Sequence, residues 1–275
     1  MDVGKQEPKT IESTNIVDAL VPFAINFFEK LSEVALAVTP HFLSLAETFS
    51  NIDWEKVRQF GEALPDRAKL TMHRCAENGW FFSWHMGYSD LLQMLYEIEK
   101  LDDSEINDYF IKFYKENFPF LTSGINDAFP LRKNALNSAF RALEQSTEDG
   151  YYLSIPIFLS QADGILAEIT SSPSPLQRGA EGAKKWAETI SNDIEKASIH
   201  PIFHIDTYDL LKDGKQRRKV EQAGSTFTAL NRHQILHGEV WDYGTEVKAF
   251  QAFSFLCFVT LQLSTVSART NPVPQ

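Results

Sequence analysis

Pro130-Leu-Arg-Lys-Asn-Ala-Leu-Asn-Ser-Ala-Phe-Arg-Ala-Leu-Glu144 repeats its apolar side chains at three- and four-residue steps, the period of an α-helix with one buried side. Pro130, whose φ is already near the helical value, suits the first turn, and Leu131, Ala135, Leu136, Ala139, Phe140 and Leu143 are expected on the inward face. The same period extends upstream. Ile16 to Phe49 reads as two amphipathic helices broken near Pro22 and Pro40, and Trp54 to Met72 continues past Pro65 towards a stop at Asn78-Gly79. Further helices are expected over Ser89 to Lys100 and Ser104 to Asn117.

Downstream, Tyr151 to Ser171 is apolar and helical in pattern, closed by the loop signal Ser171-Ser-Pro-Ser-Pro175. Gly179 to Ser198 reads as a helix with a charged face, Asp206 to Leu211 as a short turn, and Gln216 to His237 as a long helix interrupted by Gly224. Thr245 is placed to cap a final helix with Glu246 in its first turn. Neither hairpin pairs nor strand-crossover alternation occur, so the fold class predicted is all-α, a helical bundle. The organisation expected is a flexible tail over 1–14, an N-terminal helical region over 15–149, a second helical domain over 150–268 and a tail over 269–275, with one continuous core as the alternative.

With 43% apolar and 12% aromatic residues in 275, the chain can bury a sizeable core. Its 26 basic and 37 acidic residues leave a net charge of −11, which disfavours broad attraction to nucleic acid or anionic lipid, so any RNA contact must be local. Cys75 and Cys257, the only two cysteines, each lie in an apolar helical context, and no secretory leader pattern is visible; a reducing, cytoplasmic location is expected. Gln251, Ser254, Gln262 and Ser264 interrupt the apolar run Ala249 to Val266, so it is read as a buried core helix and no membrane contact is expected.

Phosphate loops, dinucleotide fingerprints, zinc-protease helices, paired Cys-x-x-Cys and nucleophile elbows are all missing from the sequence. His200, His204 and Asp206 have a spacing a metal could use, but Pro201 separates the histidines and a fourth ligand is not indicated, so neither metal nor cofactor is expected.

The segment richest in chemistry is Leu230-Asn-Arg-His-Gln-Ile-Leu-His-Gly238, followed by Asp242-Tyr-Gly-Thr-Glu246. Its Arg-x4-His spacing alone carries little, since Arg67 to His73 matches as Arg-x5-His. Context separates the two: Leu70 and Met72 beside the first look like core, whereas Asn231, Arg232 and His233 form a polar cluster and Gly238 marks a helix end beside a loop.

Asn231 to Gly238 with Arg-His-x3-His, the trailing Asp-Tyr-Gly-Thr-Glu at 242–246, and the upstream Tyr152-Leu-Ser-Ile-Pro-Ile-Phe-Leu-Ser-Gln-Ala-Asp-Gly164 resemble bacterial helical proteins with a HEPN-like C-terminal half. The resemblance covers roughly 150–266. It implies a helical, homodimeric protein, and for many members of that group a metal-independent ribonuclease of toxin–antitoxin, CRISPR or abortive-infection systems, using Arg-x(4–6)-His with a polar residue after the arginine. Arg232, His233 and His237 fit those three positions. The partners it implies are RNA, a second copy of the chain and a regulatory protein or phage trigger.

The chemistry is coherent on its own terms. An RNA 2′-hydroxyl that loses its proton can attack the adjacent phosphorus, and this needs a group titrating near neutrality and a fixed positive charge. His237 is the candidate proton carrier, Arg232 the phosphate grip and His233 a second donor or shuttle. Five residues on an ideal helix place Arg232 and His237 about 140° apart, so one helix face cannot present both squarely. Either the helix loosens at Gly238 or a two-fold dimer completes the site.

Lys212, Lys215, Arg217, Arg218 and Lys219 form the densest basic run, with the last four as candidate RNA contacts; it reads as an RNA path or as a solvated helix face. Asn231, Gln161 and Asp163 are candidate supporting residues, the latter two orienting the histidines or tying helix to helix. Trp80 and Trp84 read as core or interface before base-stacking residues. Two other readings stay open for the motif: a non-catalytic HEPN-like module that binds a nucleotide or a protein, and a structural scaffold in which His237 simply ends a helix.

Overall fold

The computed structural model describes residues 54–84 and 88–270. The two helices expected over Ile16 to Phe49 and the tail over 1–14 lie outside the described residues, as does the C-terminal tail apart from the last helical residues 269–270. Among the described residues there is no strand, and the protein is all-α. The helices are α1 (Trp54–Glu77), α2 (Tyr88–Lys100), α3 (Ile106–Ala128), α4 (Lys133–Glu144), α5 (Glu148–Thr170), α6 (Glu181–Glu188), α7 (Asp193–Ser198), α8 (Pro201–His204), α9 (Gly214–Gln222), α10 (Arg232–Leu236), α11 (Glu246–Cys257) and α12 (Ser264–Thr270). A π-helical stretch, Phe258–Leu263, joins the last two.

The described residues divide into two compact units, one holding residues 54–64 and 88–97 and one holding residues 65–84 and 98–270. The second holds everything that follows. Its centre is α5 sandwiched against α4 and α11. Phe253 of α11 is the hub, its ring centre 5.0 Å from Phe118, 5.5 Å from Phe158, 5.7 Å from Tyr114 and 5.9 Å from Phe140. These distances suit edge-to-face and tilted aromatic packing, which adds to the stabilisation from burying apolar area. The boundary expected near Gly150 falls between α4 and α5, which share this core.

The polar residues that interrupt α11 and its continuation have a specific task. Beyond the turn at Asn78-Gly79 the chain runs non-helically from Trp80 through the interior to Ser83, and a buried backbone must find other partners. Ser254 Oγ accepts from Phe81 N at 3.2 Å, Gln251 Nε2 donates to Asn78 O at 2.9 Å, and Gln262 Oε1 accepts from Trp84 N at 2.6 Å. Tyr114 donates its hydroxyl to Phe81 O. The run Glu246–Arg269 is long and apolar enough to cross a membrane, but 83% of its apolar window is buried inside the fold, as in a core helix. Trp80 is fully buried and stacks on Phe110 at 5.2 Å, a core residue.

Several expectations are corrected. Leu131 is fully exposed and Ala135 is exposed too, because Pro130–Arg132 is wound as a tighter 3₁₀ turn that takes Leu131 out of register; the buried stripe is Leu136, Ala139, Phe140, Ala142 and Leu143. α3 continues past Asn117 and Pro119 to Ala128, held by burial of Phe118, Leu121 and Ile125. The Gly179 to Ser198 helix is two pieces, the second started by Asn192, whose side chain accepts from Glu195 N. Gln216 to His237 is likewise not one helix: α9 ends at Gln222, Gly224 turns with φ +91°, and the chain runs irregularly until Asn231 starts α10.

Candidate functional site

α10 is only five residues long, so both its ends must be secured from outside the helix. Asn231 does this at the N-terminus: its Oδ1 accepts from Gln234 N at 3.1 Å, while its Nδ2 donates to Asp209 O at 2.7 Å and Lys212 O at 3.0 Å. The side chain is 1% exposed, so its hydrogen bonds replace water entirely. At the other end Gly238 adopts φ +68°, Gly238 N donates to Ile235 O at 3.2 Å and Glu239 N donates to Gln234 O at 2.8 Å. This is a Schellman closure, which requires the left-handed backbone that glycine adopts without strain. Asn231→Ala should lower stability by on the order of 2–3 kcal/mol, a lost cap plus unsatisfied buried groups, measurable by urea unfolding.

These two closures expose His233 and His237 together. The rings stand 4.4 Å apart between centres, and both side chains face solvent. Glu239, delivered by the turn at Gly238, places Oε1 3.1 Å from His233 Nε2 and Oε2 2.7 Å from the Arg217 guanidinium. One carboxylate thus orients a histidine and anchors α9.

Arg232 points elsewhere. Its Nε lies 2.7 and 2.6 Å from the two carboxylate oxygens of Asp163 on α5, and its terminal nitrogen also meets Asp163. Both side chains are 20% exposed. Burial pushes the Asp163 carboxyl above its usual range, and this outweighs the lowering by the Arg232 hydrogen bonds and charge. The pair borders a cavity of about 180 Å³ walled by Gly164, Ala167 and the loop Pro173 to Gln177. Next to it Arg132 spans Gln161, at 2.9 Å from Oε1, and Glu168; it crosses α5 over Gly164, where an added Cβ would stand 2.9 Å from a guanidinium nitrogen.

The two segments singled out in the sequence therefore meet: Asp163 holds Arg232, and Tyr152 packs on Gly244 and on the Tyr243 ring, 4.8 Å between centres. Asp163 and Gln161 contact arginines, not histidines. Of the basic run, Arg217 is turned inward and 7% exposed, its guanidinium donating to Lys212 O at 2.9 Å, Asn231 Oδ1 at 3.2 Å and Glu239. Lys215, Arg218 and Lys219 occupy the opposite, exposed side of α9. Glu239 and Arg132 escaped the sequence reading; the left-handed glycine directly before Glu239 was the one signal that its side chain would return to the helix.

Compared with known proteins, the chain matches no family model, no curated sequence and no solved structure.

Proposed function

We propose that this protein is a metal-independent endoribonuclease of the HEPN type, acting in the cytoplasm as a toxin or antiphage effector. The observation that carries the reading is the pair of solvent-facing imidazoles, His233 and His237, on a rigidly closed helix whose first residue is Arg232. His237 takes the 2′-hydroxyl proton, the 2′-oxygen attacks phosphorus, and His233 returns a proton to the departing 5′-oxygen, leaving a 2′,3′-cyclic phosphate. Arg232 neutralises the phosphorane charge once the phosphate replaces one of the Asp163 contacts. Lys215, Arg218 and Lys219 guide the strand, which suits a local contact on an acidic chain. Arg217 and Asn231 position the helix.

Arg232 and His237 leave α10 in different directions, so a two-fold homodimer pairing two α10 helices composes the site from both subunits. The test is complementation: Arg232→Ala and His237→Ala are each inactive, and mixing them through subunit exchange restores part of the activity. Mixtures that stay inactive, with exchange verified by mass, count against the composite site.

The pairing of Arg232 with Asp163 favours a second reading, a non-catalytic HEPN-like module that binds a nucleotide or protein. Nucleotide binding that survives Arg232→Ala with no cleavage selects it.

A further inference from the structure

A second histidine cluster lies outside α10. His200 and His204, four residues apart and bracketing Pro201, share a face and stand 4.9 Å apart between ring centres. His73, near the end of α1, meets them from another element, 5.2 Å from His204 and 6.3 Å from His200. Imidazoles bound to one zinc ion at a tetrahedral angle have ring centres about 5 Å apart, given nitrogen–zinc bonds of about 2.0–2.1 Å. Two of the three separations already have that value.

The surroundings suit the same use. His73 Nδ1 is 2.7 Å from the Tyr208 hydroxyl, the outer hydrogen bond that fixes a metal-ligating imidazole and leaves Nε2 available. Glu77 brings Oε1 to 3.4 Å from that Nε2, a carboxylate at the open side of the cluster. Asp206, the residue that the sequence grouped with these histidines, is instead paired with Lys184 at 2.6 Å.

We propose that His73, His200 and His204 form a binding site for a divalent transition-metal ion, zinc by preference, with the fourth position open to Glu77 or water and with Tyr208 as positioning residue. Among the described residues no group of three His, Cys, Asp or Glu is arranged to hold a metal ion as it stands; the 6.3 Å between the His73 and His200 rings is the separation that binding has to close. The site uses none of the residues assigned to RNA cleavage, and its ion stabilises the packing of α1 against the α7–α8 segment by binding the folded state alone.

The experiment is calorimetric titration of the full-length protein with Zn²⁺, and with Co²⁺ for its visible spectrum. One ion per chain binds; His204→Ala weakens binding more than Tyr208→Phe, which weakens it about 10–100-fold. Folding of each variant is checked by circular dichroism. On the wild-type protein, saturating Zn²⁺ should shield His73, His200 and His204 from diethyl pyrocarbonate, mapped by mass spectrometry, without shielding His233 and His237. Absence of stoichiometric binding, affinity unchanged in His204→Ala, or shielding confined to other histidines overturns the proposal.

Discussion

His237→Ala should slow RNA cleavage by about 10²–10⁴-fold, the usual contribution of a positioned acid–base group. It should leave stability within about 0.5 kcal/mol, because the side chain is exposed at the end of α10 and its ring contact is with His233. That separation makes His237 a cleaner probe than Arg232, whose loss strips Asp163 of a charged partner inside a half-buried pocket. His233→Ala should slow the same reaction, because its imidazole is the group that returns a proton to the departing 5′-oxygen. Equal activity of His237→Ala and wild type would remove the acid–base assignment.

The largest effect on the fold is expected at Phe253. Its ring is 0% exposed and touches four aromatic rings from α3, α4 and α5, so Phe253→Ala opens a cavity that the surrounding helices can only partly fill. The cost should be about 3–5 kcal/mol, and for a unit of this size a fall in Tm of about 6–20 °C. Phe253→Leu should lose much less, because volume is largely kept. Denaturant unfolding followed by near-ultraviolet circular dichroism checks both; a fall no larger than that of a surface substitution would show that the α5–α11 seam is not the core.

Helical periodicity was legible wherever one residue type decided the matter: Thr245 caps α11 as its position suggests, accepting from Lys248 N at 3.3 Å. It failed where tertiary packing overrode a local signal. Pro119 did not stop α3, since the residues on either side of it bury apolar area that exceeds the loss of one backbone hydrogen bond. Gly224 marked a break correctly, but the irregular stretch up to Asn231 could not be foreseen, because its stability comes from Asn231 bonding to Asp209 and Lys212, twenty residues away.

For the candidate site, the sequence pointed to the Asn231 to Gly238 segment, and four-residue spacing alone put His233 and His237 on one face. Which way Arg232 turns was not readable, since it depends on Asp163 arriving from α5. Arg217 shows the same limit: within a basic run the cations look alike, and only contact with Glu239 and Asn231 separates the buried one from Lys215, Arg218 and Lys219. The His73, His200 and His204 cluster was half visible through the His200–His204 spacing, and His73 joins it only in three dimensions.

The central claim is that one guanidinium and two imidazoles around α10 cleave RNA by internal 2′-hydroxyl attack. Its most direct test is incubation of the full-length protein with labelled RNA in excess chelator, with the new ends identified by mass spectrometry. The account predicts fragments carrying 2′,3′-cyclic phosphate and 5′-hydroxyl ends, formed by wild type and not by His237→Ala. Fragments with 5′-phosphate ends, cleavage abolished by the chelator, or RNA left intact by the full-length protein would contradict it.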